Sequence, residues 1–186
     1  VSRDDSSLIA FEVGSASPAE VGFKIIGAHT DSPHLKLKPN PIFRRAGYIQ
    51  LGVEVYGSVL LTTWTDRDLS LAGRVILRDS KIERLLVDFK RPLLRIPQLA
   101  IHLNRQVNEK GLILNKQDHM PPIISLAEKE LDLNVIKEWV GEETGLHAKD
   151  ILGFDLALYD VQKGNLGGLE GEFLFSSRLD NLASCH

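Results

Sequence analysis

Cysteine is almost missing from this chain. Cys185 is the single one among 186 residues, so no internal disulfide framework holds the fold and a buried apolar core must do so. One thiol fits a reducing compartment, and the expected location is cytoplasmic. Blocks of like charge are missing too: the net charge of -3 is spread over both signs, which offers no basic patch to nucleic acid or to an anionic membrane surface. No apolar run approaches the about 20 residues of a membrane span, and the expectation is that no charged-then-apolar leader precedes Val1. A phosphate loop is also lacking. Residues 164–171 hold four glycines, yet they have neither the lysine nor the strand-to-helix setting that phosphate cradling needs.

What is present is an ordinary globular composition, 43% hydrophobic and 25% charged, in a length that suits one domain or two small ones. The chain opens straight into a strand pattern over residues 7–13 and stops at His186 in what reads as a helix start. We therefore expect a piece of a longer protein. Residues 8–13 and 23–28 read as two paired strands joined by a loop of Ser, Ala and Gly. Leu35-Lys36-Leu37-Lys38 alternates like a half-exposed strand, and Pro39-Asn40-Pro41 then reads as a linker, so a domain boundary is placed after residue 38. Strict alternation over residues 48–56 predicts a strand with one face inward, and residues 59–64 and 73–77 continue that theme. Between them, Asp66-Arg67-Asp68 reads as a polar hairpin connection with Arg67 paired to a nearby carboxylate.

Residues 82–89 suit strand or helix equally. Pro97 can open a helix that would put Leu99, Ala100 and Leu103 on one face, with His102 beside it as a cap or surface residue. Helical spacing returns at Ile136, Trp139 and Val140, to be ended by Gly141 or Gly145. Alternation resumes with Leu152, Phe154, Leu156 and Leu158, and the glycines of 164–171 read as the return from an inserted domain.

The chemistry-bearing stretch is Gly22 through Pro33, an apolar run that ends in His29 and Asp31. A buried strand over Phe23, Ile25 and Ile26 would put this pair at a strand's C-terminal end, where sites collect in open α/β sheets. One imidazole nitrogen can take a metal while a carboxylate holds the other, fixing the tautomer and raising basicity. His-x-Asp by itself equally describes a loop histidine with a turn-forming aspartate. Asp180, in Arg178-Leu179-Asp180-Asn181, lies at a second strand-to-helix junction and by itself also reads as a helix cap. One carboxylate can bridge two metal ions, on the order of 3.5–4 Å apart in two-metal hydrolases.

Four ordered stretches bring these residues together: Gly27-Ala28-His29-Thr30-Asp31-Ser32-Pro33, the segment from Trp64-Thr65-Asp66-Arg67-Asp68 to Val75, Arg95-Ile96-Pro97 through His102-Leu103, and Glu172-Phe173 through Leu182. In them the chain resembles the aspartyl aminopeptidases, the M18 family of dinuclear zinc peptidases. The resemblance implies an α/β fold, a fragment of a zinc-peptidase catalytic domain (residues 1–38 and 169–186) with an inserted, mainly β dimerisation domain (39–168). It implies His29 as a terminal zinc ligand, Asp31 as the carboxylate that orients it, and Asp180 as the bridge between two Zn2+ per subunit, with Co2+ or Mn2+ held by similar groups. His102 matches a histidine that reaches into a neighbouring subunit's site and helps bind substrate. Further implications are a homo-oligomer, a dodecamer built from dimers, and metal-assisted removal of N-terminal Asp or Glu from peptides. The family's adjacent glutamate pair, general base and ligand, finds no match here; Glu142-Glu143 reads as a solvated helix end. The alternatives are a dinuclear aminopeptidase of different specificity and a non-enzymatic assembly or cargo protein on the same fold.

Overall fold

The structure is a computed structural model that describes residues 2–3, 7–78, 83–128 and 134–186. They fall into two compact units, Val1–Ser32 with Arg178–His186, and Pro33–Ser177. In the first unit, β1 (Ser2–Arg3) and β2 (Ser7–Leu8) form a short antiparallel pair. A single helical turn follows, α1 (Pro18–Val21). Ser17 caps it by accepting from the Ala19 amide at 3.3 Å, Pro18 supplies a preset φ, and Gly22 closes it at φ 71° with its N–H on the Pro18 carbonyl.

Residues 23–33 then run without regular structure, and Phe23, Ile25 and Ile26 are largely exposed, the last at 97%. The expected buried strand is therefore not formed. A strand apolar on both faces needs pairing partners at its edges and cover above and below, and among the described residues nothing pairs with 23–28 or with 9–13. The second segment of this unit ends in a 3-10 turn, Leu182–Cys185.

The second unit is built on β3 (His34–Arg45), β4 (Tyr48–Tyr56), β5 (Leu69–Leu77), β6 (Glu83–Asp88), α2 (Val107–Lys110), β7 (Ile123–Leu126), α3 (Val135–Thr144) and β8 (Ile151–Asp160). Its six-stranded sheet has the order β6-β5-β8-β3-β4-β7 with every neighbour antiparallel. Two further strands, β9 (Asn165–Gly167) and β10 (Phe173–Phe175), pair with each other apart from that sheet. The described fold is thus mixed and mainly antiparallel β. The parallel α/β arrangement expected of the catalytic part is not seen among the described residues, because strands of that kind need neighbours that these residues do not supply.

β3 and β4 join through Ala46 and Gly47, both at positive φ, a two-residue hairpin turn whose twist suits the strands it connects. Pairing slips between Leu37 and Ile42, so Pro39-Asn40-Pro41 sits in a bulge. Prolines have no N–H to offer a ladder, and the slip places them where none is asked for. The strand therefore passes straight through the boundary expected after residue 38; the compact unit begins at Pro33 and extends to Ser177.

The core lies against one face of this sheet. Leu35 and Leu37, Leu51 and Val53, Leu69, Leu71 and Val75, and Leu156 and Leu158 meet Ile136 and Val140 of α3 together with Trp64, Ile96 and Met120. Each such side chain contributes roughly 1.5–3 kcal/mol on full burial. Two local departures from the periodicity have clear causes. β8 slips against β5 between Ile76 and Leu77, which turns Ile151 inward and leaves Leu152 exposed. Residues 61–64 tighten into a 3-10 turn that drives Trp64 into the core, where the alternation suggested a strand. Asp66-Arg67-Asp68 accordingly leads from that turn into β5, with Arg67 on Asp160 at 3.2 Å and on Gln162 at 2.6 Å.

Candidate metal centre

His29, Asp31 and Asp180 all belong to the first unit. The His29 Nδ1 lies 2.8 Å from the Asp31 carbonyl oxygen and 3.0 Å from its Oδ1. Both neighbours are acceptors, so Nδ1 carries the proton and donates, and the lone pair of the neutral ring is left on Nε2. That nitrogen is 3.8 Å from Asp180 Oδ1. The separation is too long for a hydrogen bond. Two ligands of one zinc ion, each about 2.0–2.1 Å from it, stand about 3.4 Å apart at the tetrahedral angle and cannot exceed about 4.2 Å. The observed 3.8 Å lies between these two separations.

Asp180 reaches His29 because the chain end folds back onto residue 29. The Cys185 thiol donates to the His29 carbonyl at 3.3 Å, and the Ala183 N–H donates to the Leu179 carbonyl at 3.0 Å, which closes the turn around Asp180. The Asp180–Asn181 peptide bond is cis, and the Ser184 hydroxyl donates to Asn181 Oδ1. All three side chains are accessible, His29 at 55%, Asp31 at 53% and Asp180 at 69%. Among the described residues no third ligating side chain joins them. The three side chains are thus gathered around the His29 imidazole at an exposed position of the first unit.

The other singled-out residues stand elsewhere. His102 belongs to the second unit, exposed on a 3-10 turn, Ile101–Leu103; the helix expected from Pro97 is limited to that turn, and Leu99 and Leu103 face solvent. Glu142 and Glu143 are exposed in the last turn of α3. His34 stacks on Tyr56 with ring centroids 4.7 Å apart, and His119 Nδ1 accepts from the Asn115 amide at 3.0 Å. Cys185 was not singled out for the site. A lone thiol 156 positions from its partner carries no periodic or spacing signal.

The family model for the aminopeptidase I zinc metalloproteases (M18) matches residues 1–186. The chain belongs to the M18 aminopeptidase family. Over 190 aligned positions this M18 chain is 49% identical to a probable M18 family aminopeptidase 2 of Pseudomonas fluorescens, covering 100% of the chain and 44% of that protein. Among solved structures it is similar to a chain of the Ape4 and Nbr1 complex, with 40% identity and a TM-score of 0.77 over 84% of this chain and 33% of that one. It is also similar to the S. cerevisiae mApe1 dodecamer, with 32% identity and a TM-score of 0.64 over 83% and 34%. The M18 chain therefore spans under half the length of these relatives.

Proposed function

We propose that the intact protein is a zinc-dependent aminopeptidase that removes N-terminal Asp or Glu from peptides. The observation that carries this reading is the grouping of His29, Asp31 and Asp180: two segments from opposite ends of the sequence meet so that an imidazole lone pair and a carboxylate oxygen stand 3.8 Å apart. His29 and Asp180 would hold zinc, Asp180 bridging two ions, with the remaining ligands and the general-base glutamate outside the residues matched here. Zinc bound there supplies Lewis-acid polarisation of a peptide carbonyl and lowers the pKa of a water. Asp31 keeps the imidazole in the ligating tautomer and raises its basicity. His102 would help bind substrate in a neighbouring subunit's site, and the unit Pro33–Ser177 would form the dimerisation domain between the catalytic segments Val1–Ser32 and Arg178–His186. A dodecamer working in the cytoplasm completes the proposal, supported by the relative solved as a dodecamer and by the single cysteine.

The test is metal content and peptidase activity of the full-length protein, with His29→Ala and Asp180→Ala. The wild type should hold two zinc ions per subunit and cleave Asp- and Glu-initial peptides ahead of Leu-initial ones. Each substitution should remove zinc, with Asp180→Ala losing both ions. Unchanged zinc in both variants would defeat the assignment. A Leu preference would point to a dinuclear aminopeptidase of different specificity, and a zinc-free, inactive wild type to an assembly or cargo protein.

A further inference from the structure

His102 sits on a segment that is anchored at one end and exposed beyond it. Past residue 98, Leu99, Ile101 and Leu103 are all exposed, and local turn bonds hold the backbone, Leu103 N–H to Ala100 O at 2.9 Å and Asn104 N–H to Ile101 O at 3.2 Å. The segment borders a cavity of about 300 Å³ lined also by Gln50, Thr65, Ile113 and His119. Its base is different. Leu94 N–H donates to the Leu69 carbonyl, Arg95 and Ile123 exchange backbone bonds at 3.2 and 2.8 Å, and the Asp66 N–H donates to the Ile96 carbonyl at 2.8 Å. Ile96 is buried in the core.

One side chain ties this base together. The Arg95 guanidinium donates through Nη1 to Asp68 Oδ1 at 2.8 Å and through Nη2 to the Asp66 carbonyl at 2.9 Å, while Asp66 Oδ1 accepts from the Gln98 amide at 3.2 Å. Asp66 holds a positive φ of 54° to present these groups. The clamp thus grips both Asp66 and the backbone of residues 95–98, four residues before His102.

We propose that Arg95, through its forked contact with Asp66 and Asp68, is a positioning residue that sets the direction in which His102 is presented. The proposal rests on the substrate-binding reading of His102. A lysine at 95 keeps the charge but cannot bridge two acceptors in fixed geometry, so the segment would keep its anchor and lose its aim. Small misplacement of a positioned group is costly to rate without removing binding.

The experiment is a double-mutant cycle on the full-length, assembled protein: Arg95→Lys, His102→Ala and the pair, with Asp68→Asn as an independent break of the same clamp. Arg95→Lys and Asp68→Asn should each lower kcat about tenfold with the melting temperature and oligomer mass unchanged. In the His102→Ala background neither should lower kcat further. Equal losses in both backgrounds, or no loss in the wild-type background, would overturn the positioning role. Should His102→Ala by itself leave kcat and KM unchanged, the substrate-binding reading falls and the positioning proposal with it, a result distinct from a failed cycle.

Discussion

His29 bonds through Nδ1 to Asp31, two positions away, and that nearness makes the pairing legible in the sequence. The pair is local and its chemistry reciprocal, since the carboxylate fixes which nitrogen carries the proton. Asp31→Asn keeps an oxygen acceptor and removes the negative charge, while the Asp31 carbonyl at 2.8 Å still holds the ring. Zinc affinity of the full-length protein should fall about tenfold, the low end for such a change, as measured by chelator competition. Unaltered affinity would show that the carboxylate does not act on the metal. Asp180 was legible only through the family likeness, because a carboxylate before a turn has many uses and its partner is remote.

Asp155 carries a pH signature at the same scale. Burial, the largest single influence, pushes its carboxyl up, but the Lys36 hydrogen bond and charge, together with Arg74, outweigh it and leave the pKa below the ordinary 3.8. The folded state then binds fewer protons than the unfolded one below about pH 4, so this group's contribution is fully present above that range and is lost as pH falls through the folded pKa. Asp155→Asn should flatten the acid-side decline in stability measured by urea titration between pH 5 and 2. An unchanged acid slope would assign that decline to other groups.

Whole elements were legible where one period settles them. Alternation gave the bounds of β4, and spacing placed Ile136 and Val140 of α3 in the core. Where a non-local pairing decides, the reading failed. The run through Phe23, Ile25 and Ile26 looks like a strand, yet its partners lie nowhere in its own composition. Ile151 replaces Leu152 inside because of a slip against β5 that no alternation in β8 reveals. Gly73 shows how tight that β5–β8 contact is. A Cβ there would lie 2.1 Å from the Asp155 carbonyl oxygen, a backbone atom that cannot step aside without breaking the ladder. Gly73→Ala should destabilise the protein by about 1–3 kcal/mol, in the range for overpacking. A lower urea midpoint at constant slope is the expected outcome, and wild-type stability would mean the two strands separate there at little cost.

For the molecule as a whole, the sequence shows that one module interrupts another, but not where the seams fall. Pro39-Asn40-Pro41 has the texture of a linker, and β3 absorbs it as a bulge because the strand continues on both sides. The seams at Pro33 and Ser177 carry less conspicuous punctuation. Zinc chemistry, assembly and acidic-residue preference have no signature in composition or periodicity; among the described residues the fold brings His29, Asp31 and Asp180 together.

The thiol-to-carbonyl contact between Cys185 and His29 closes a span of 156 positions. For a featureless loop of that length the entropy lost on closure is about 4–5 kcal/mol beyond a constant, more than a few weak contacts repay. Folding of the intervening sheet holds its own ends at a fixed span and removes most of that loss. We expect the sheet to form before residues 29 and 185 meet. A lesion deep in the β5–β8 ladder, remote in sequence from both residues, would thus surface as a weakened meeting of the two ends, read by the reactivity of the Cys185 thiol.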